Sequence, residues 1–156
     1  MVNVFLADFQ YDNEDQDGYR CGLAAVGRAA GGVANIVRLY ELPAGQSLCP
    51  YHYEYEEEWL LVLDGEVDVR SPAGEETAKR GTLVLFAAGP GGAHKLTNRG
   101  EQAARALMFS SSRTPAVAVY PDSDKIGVWS GREEDDLMLR RADGAVPYYD
   151  GEVPGA

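Results

Sequence analysis

The fold of this chain is decided by one stretch, "CPYHYEYEEEWLLVLDGE", residues 49–66. It holds His52, one of only two histidines in 156 residues, and four glutamates within five positions, 54 to 58. A fully apolar run, residues 59–63, follows and stops at the turn glycine Gly65. Such a run fits a strand buried on both faces or at the centre of a barrel. Taken singly, a glutamate run is ordinarily a solvated face and a lone histidine ordinarily structural. Taken together, they make either an acidic loop or half of a metal site whose remainder comes from elsewhere in the chain.

In an extended strand, residues two apart share a face. His52 and Glu54 therefore project together, with Tyr53 on the other side. Glu58 opens the next strand and can return to the same cavity. The second histidine, His94, follows the glycine-rich turn "GPGGA", residues 89–93. Two imidazoles with one or two carboxylates suit Mn, Fe, Ni, Co or Zn better than Ca, and the lack of thiolate argues against a structural zinc site. Two histidines and a carboxylate are also the ligand set of many non-haem iron oxygenases. The candidate ligands are His52, Glu54, Glu58 and His94.

The charge balance excludes some functions. With 25 acidic and 14 basic residues the formal net charge is −11, the wrong sign for neutralising phosphates or anionic lipid headgroups. No stretch has the length and apolarity of a bilayer span, and the N-terminus does not read as a signal peptide. Cytoplasmic location is the expectation, with Cys21 and Cys49 as reduced, buried thiols. Cys49 is a weak further candidate for a ligand.

Eighteen glycines and eight prolines punctuate short β-rich runs. Residues 33–112 read as at least seven strands with tight turns, including a hairpin at Asp64-Gly65 and a strand–turn–strand over 82–98. "CGLAAVGRAAGG", residues 21–32, makes one or two helical turns at most. This predicts an all-β protein: an N-terminal arm over 1–32, an antiparallel sandwich or barrel over 33–112, and a C-terminal extension over 113–156 that packs on it.

Residues 45–65 resemble the first signature of the cupin superfamily: Gly, a short spacer, His-x-His, three or four residues, Glu, six residues, Gly. His52, Glu58 and Gly65 match it, the spacer between Gly45 and His52 is one residue longer than the family's usual five, and Glu54 stands where the second His is expected. "GTLVLFAAGPGGAHKLTN", residues 81–98, resembles the second signature, with Gly81, Gly91, His94 and Asn98 as its marks and Gly89 in place of a Pro. The resemblance implies a double-stranded antiparallel jelly roll, one divalent transition metal, a small-molecule substrate or ligand, and a homodimer. The family site implied is three His and one Glu, so Glu54 adds negative charge and hardens the site.

Three functions follow. The first is a metal-dependent enzyme acting on a small organic molecule inside the barrel, as an oxygenase, isomerase or lyase. The second is a non-catalytic binding or sensing module. The third is a metal-free acid/base enzyme using Glu54 and Glu58, since like charges in a partly buried cavity raise at least one pKa. Around the site, Tyr51, Tyr53 and Tyr55 line a pocket mouth or pack outside the barrel. Trp59, Phe86 and Met108 read as core, Asn98 as a turn stabiliser and Lys95 as exposed. Gly89, Gly91 and Gly92 read as backbone requirements.

Overall fold

A computed structural model describes residues 1–151. In chain order the strands are β1 (Gln10–Tyr11), β2 (Gly22–Ala24), β3 (Asn35–Leu42), β4 (Tyr53–Glu54), β5 (Glu58–Asp64), β6 (Glu66–Ser71) and β7 (Gly74–Lys79). They continue as β8 (Leu83–Phe86), β9 (Lys95–Thr97), β10 (Ala104–Ser111), β11 (Ala116–Tyr120), β12 (Lys125–Trp129) and β13 (Leu137–Arg140). One face is a six-stranded sheet, ordered β1-β2-β3-β10-β5-β8. The other is made of two smaller sheets, β7-β6-β9 and β13-β12-β11-β4. Every pairing is antiparallel. This is a jelly roll.

The two smaller sheets are joined by the chain before β4. Leu48 N–H donates to Leu96 O, and His52 and His94 exchange both backbone hydrogen bonds, at 3.1 and 2.8 Å. Residues directly opposite in an antiparallel pair point to the same side. Both imidazoles thus face the six-stranded sheet. Period-2 alternation carries this along: Leu96 turns inward, while Tyr51, Tyr53 and Ala93 turn outward and cluster with Val119 beneath the C-terminal hairpin.

The main core fills the space between the faces. Leu42, Leu60, Val62, Phe86, Ala106 and Met108 of the six-stranded sheet meet Val67, Val69, Ala78 and Leu96 of the other. Phe86 and Met108 are barrel filling, as expected. Trp59 is not core: it lies half-buried on the outer face, its ring parallel to Phe109 at 6.1 Å. Asn98 is fully buried and acts as read, donating to Leu42 O and Gln102 O and accepting from Gly100 N–H. Lys95 is half-buried rather than exposed, its Nζ 3.4 Å from the Tyr19 hydroxyl.

The turn at Asp64-Gly65 also departs from the expected hairpin. β5 and β6 lie in different sheets, so Gly65 (φ 69°) turns the chain from one face of the jelly roll to the other, and the hairpin is β6–β7. The N-terminal arm adds strands to the six-stranded sheet. β2 pairs with β3, and β1 extends the same sheet. A single helical turn, Val26–Ala29, packs on the outer face of β3, where Gly27 approaches Val37. The C-terminal segment extends the opposite sheet through β11 and is clamped by Arg70, which stacks on Tyr51 and makes a bidentate pair with Asp122.

The turn that delivers His94 is a short 3-10 segment, Pro90–Gly92. A Cβ on Gly92 would lie 1.8 Å from the Ala87 carbonyl oxygen, whereas one on Gly91 would meet nothing within 4 Å, and Gly91 lacks the positive φ expected of it. We therefore expect Gly92→Ala to cost about 1–3 kcal/mol or more in urea unfolding, with Gly91→Ala within about 0.5 kcal/mol of wild type. Equal effects at the two positions would show that close approach at Gly92 is not what constrains this turn.

Candidate metal centre

Three elements bring the site together. His52 comes from the lead-in to β4, Glu58 from the first position of β5, and His94 from the lead-in to β9. Glu58 Oε2 lies 3.5 Å from His94 Nε2 and 3.9 Å from His52 Nε2. One ligating atom from each residue falls within 4.8 Å of the others, the only such cluster of three among the described residues. Glu54 shares the cavity but stands looser, with Oε1 4.0 Å from His52 Nε2.

The imidazoles are oriented from behind. His94 Nδ1 is 2.9 Å from Gly92 O, and His52 Nδ1 is 3.0 Å from Pro50 O. A carbonyl only accepts, so each Nδ1 carries the hydrogen and each Nε2 presents a bare lone pair to Glu58. The rings are also held by stacking, His94 on Phe86 at 3.7 Å and His52 on Tyr120 at 5.7 Å. His94 is 1% exposed. His94 Nε2 and Glu58 Oε2 are both buried without a hydrogen-bond partner.

That is the arrangement a divalent cation satisfies. Two buried acceptors facing each other are costly unless something positive lies between them. Ligands about 2.1 Å from a tetrahedral centre sit about 3.4 Å apart, close to the separations seen. Imidazoles that donate Nδ1–H to a backbone carbonyl are oriented as metal ligands typically are. Cys49 contributes only from behind, with Sγ 3.4 Å from His52 Nδ1. Burial pushes its thiol pKa up, so it stays protonated.

The titration behaviour fits. Burial first, and then the neighbouring Glu54, push Glu58 up to about 8. Burial, with His52 adding to it, takes His94 down to about 4. Burial lowers His52 and raises Glu54. Without a cation the centre therefore holds its proton on Glu58 and keeps both imidazoles neutral near pH 7.

The cavity in front has a volume of about 210 Å³ and lies between β3, β10 and β5 on one side and the two histidines on the other. Its wall includes Ile36, Arg38, Tyr40, Met108, Ser110 and both cysteines, which are free. Tyr51, Tyr53 and Tyr55 do not line it. The first two are buried outside the barrel, and Tyr55 is exposed. Sequence reasoning missed Arg38, Tyr40, Tyr120 and Cys21. For Arg38 and Tyr40 a signal was available, since they alternate with Leu39 and Glu41 in a strand whose inner face holds Ile36 and Leu42. A larger cavity, about 370 Å³, lies beyond Phe86 beside the β6–β7 hairpin and carries no ligating cluster.

Fold and site together define a small jelly-roll protein with a mixed His/Glu centre in its barrel. Residues 38–110 match the family model described as Cupin domain. Those residues are a cupin domain, and the fold around them is the cupin jelly roll. Two similar solved structures span nearly the whole chain. One, from Silicibacter pomeroyi, is described as a sugar phosphate isomerase from a cupin superfamily; it is 21% identical, with 96% of this chain and 98% of that one covered and a TM-score of 0.80. The other, from Acidithiobacillus ferrooxidans, is described as a candidate sugar phosphate isomerase, at 20% identity, 92% coverage of both chains and a TM-score of 0.81. A polyketide cyclase from Streptomyces resistomycificus matches at 18% identity and a TM-score of 0.60, over 74% of this chain and 82% of that one. No curated protein matches the chain. Among the described residues, no helix is long and apolar enough to cross a membrane.

A pH test follows from the raised pKa of Glu58. A carboxyl whose folded pKa exceeds its unfolded value stabilises the fold below the unfolded value, and that contribution is lost as pH rises through the folded pKa. For Glu58 the window runs from 4.5 to about 8. The opposing contribution of His94 is complete above 6.5. Between pH 6.5 and 8, metal-free protein should lose thermal stability, and Glu58→Gln should flatten that loss. A variant that loses stability over the same interval as steeply as wild type would refute the assignment.

Proposed function

We propose that this chain binds one divalent transition metal, Mn, Fe, Ni, Co or Zn, through His52, Glu58 and His94, with Glu54 as fourth ligand, and acts on a small organic molecule in the barrel. The observation that carries the proposal is the buried, unpartnered pair His94 Nε2 and Glu58 Oε2, facing each other with both imidazole hydrogens turned away. A bound cation would supply Lewis-acid polarisation of a substrate oxygen. Glu54 is the loosest of the four. Released from the metal, it would take up or return a proton beside that oxygen. This favours isomerase or lyase chemistry over oxygenase chemistry. The descriptions of the similar structures name small organic substrates and support the substrate's size.

A second reading rests on the Glu58 pKa of about 8 beside the raised Glu54. Two carboxyls and two neutral imidazoles are an acid/base set without metal. Elemental analysis of purified protein separates the readings. Wild type should hold about one ion per chain with four or fewer protein ligands. His52→Ala and His94→Ala should each abolish it, and Glu54→Gln should retain it with weaker affinity. Wild type that takes up no metal after reloading with Mn, Fe, Ni, Co and Zn in turn supports the metal-free enzyme. Bound metal without turnover across a broad substrate panel supports a binding or sensing module. We further propose a homodimer that covers Leu83 and Leu85, which are 55% and 45% exposed on the edge strand β8. Sedimentation equilibrium returning a monomer would remove that proposal.

A further inference from the structure

Across the cavity from the ligand cluster stands a cation that the cluster does not use. β3 turns Ile36, Arg38, Tyr40 and Leu42 toward the inside of the barrel; Leu42 enters the core and the other three line the cavity. Arg38 pairs in register with Met108 of β10, and the next inward position of β10, Ser110, pairs with Glu58 of β5. The arginine is thus one inward step along the sheet from Glu58 and two strands away, about 12 Å between backbones. Among the described residues it is the one positively charged side chain lining the cavity.

Its surroundings leave it available. The close contacts of Glu54 and Glu58 are to the imidazoles, while Arg38 donates a hydrogen bond to the Tyr40 phenol and keeps further N–H donors for a ligand. It acts on both carboxyls only as a lowering influence, secondary to burial. It is exposed at the mouth and also lines an adjoining surface depression, shared with Arg28, Asn35 and Ser112. A divalent cation and two carboxylates sum to zero, so Arg38 leaves the occupied cavity positive. A guanidinium presents a planar fork that matches carboxylate and phosphate oxygens. At about 210 Å³ the cavity is smaller than the ~300–1,000 Å³ of drug-sized sites.

We infer that Arg38 determines specificity in this site: it binds the anionic oxygen group, carboxylate or phosphate, of a small organic substrate whose other oxygen faces His52, Glu58 and His94. This rests on the metal-centre reading and names the substrate class it implies. The test uses the full chain loaded with Mn²⁺, titrated calorimetrically with glycolate, glycerol 3-phosphate and neutral glycerol. Wild type should bind at least one anion more tightly than glycerol, and which one it prefers distinguishes carboxylate from phosphate. Arg38→Gln should weaken that anion about 10- to 100-fold, leaving metal content and glycerol binding unchanged, and Arg38→Lys should recover part of the loss. Anion binding in Arg38→Gln equal to wild type, or no preference over glycerol in wild type, overturns the inference. Should Arg38→Gln not fold, peptide mass spectrometry after phenylglyoxal treatment of wild type decides: the preferred anion should protect Arg38, and no protection overturns it. Failure of the metal reading shows separately, as wild type without metal.

Discussion

The paired backbone hydrogen bonds between His52 and His94 are the constraint on which the site depends. They close the gap between two small sheets into one face of the barrel. In doing so they set two residues 42 positions apart directly opposite each other, so that both rings must point inward. From that register the rest follows by alternation. Glu54 and Leu96 turn in, Tyr51, Tyr53 and Ala93 turn out, and the C-terminal hairpin covers the outward set. A slip of one residue would turn one imidazole outward while the other stayed in, and the pair would be lost. The carbonyls of Pro50 and Gly92, each two residues before a histidine, then fix which nitrogen faces the cavity. One short stretch of pairing thus sets side-chain direction, ring orientation and tautomer.

The electrostatics follow from enclosure. A carboxyl and two imidazoles in water would titrate near their ordinary values. Buried together they move apart, Glu58 upward and the histidines downward, because burial penalises every charged form. What remains is a set of neutral groups whose lone pairs converge. Such a cluster gains when a cation replaces the proton. The substitution of Glu54 for an imidazole adds a second carboxyl to this environment, and Arg38 opposes the pair from across the cavity. Two carboxyls and one arginine, more than the net acidity of the whole chain, set the charge of the cavity.

Much of this was legible in residue order. The apolar run after Glu58, the turn glycines and the alternation of short strands specify an antiparallel β protein, because period and punctuation are local properties. The four candidate ligands could be picked out because His is scarce and the spacing from His52 through Glu58 to Gly65 is regular. The reading went astray at Asp64-Gly65, which has the composition of a hairpin. A dipeptide records that the chain turns there, and whether the next strand pairs with the last or crosses to the opposite sheet depends on distant strands. The same holds for Trp59, apolar in type and outward by register.

Composition and spacing therefore fix the kind of structure and the chemical kind of the centre. Which groups share a cavity is set by long-range strand order. Arg38 faces Glu58 only because β10 lies between β3 and β5, and Tyr120 reaches His52 only because the C-terminal hairpin pairs with β4. Side-chain direction repeats every two residues and is written locally. Neighbours across a sheet are chosen by hydrogen bonds between segments tens of residues apart, and nothing in either segment alone carries that choice.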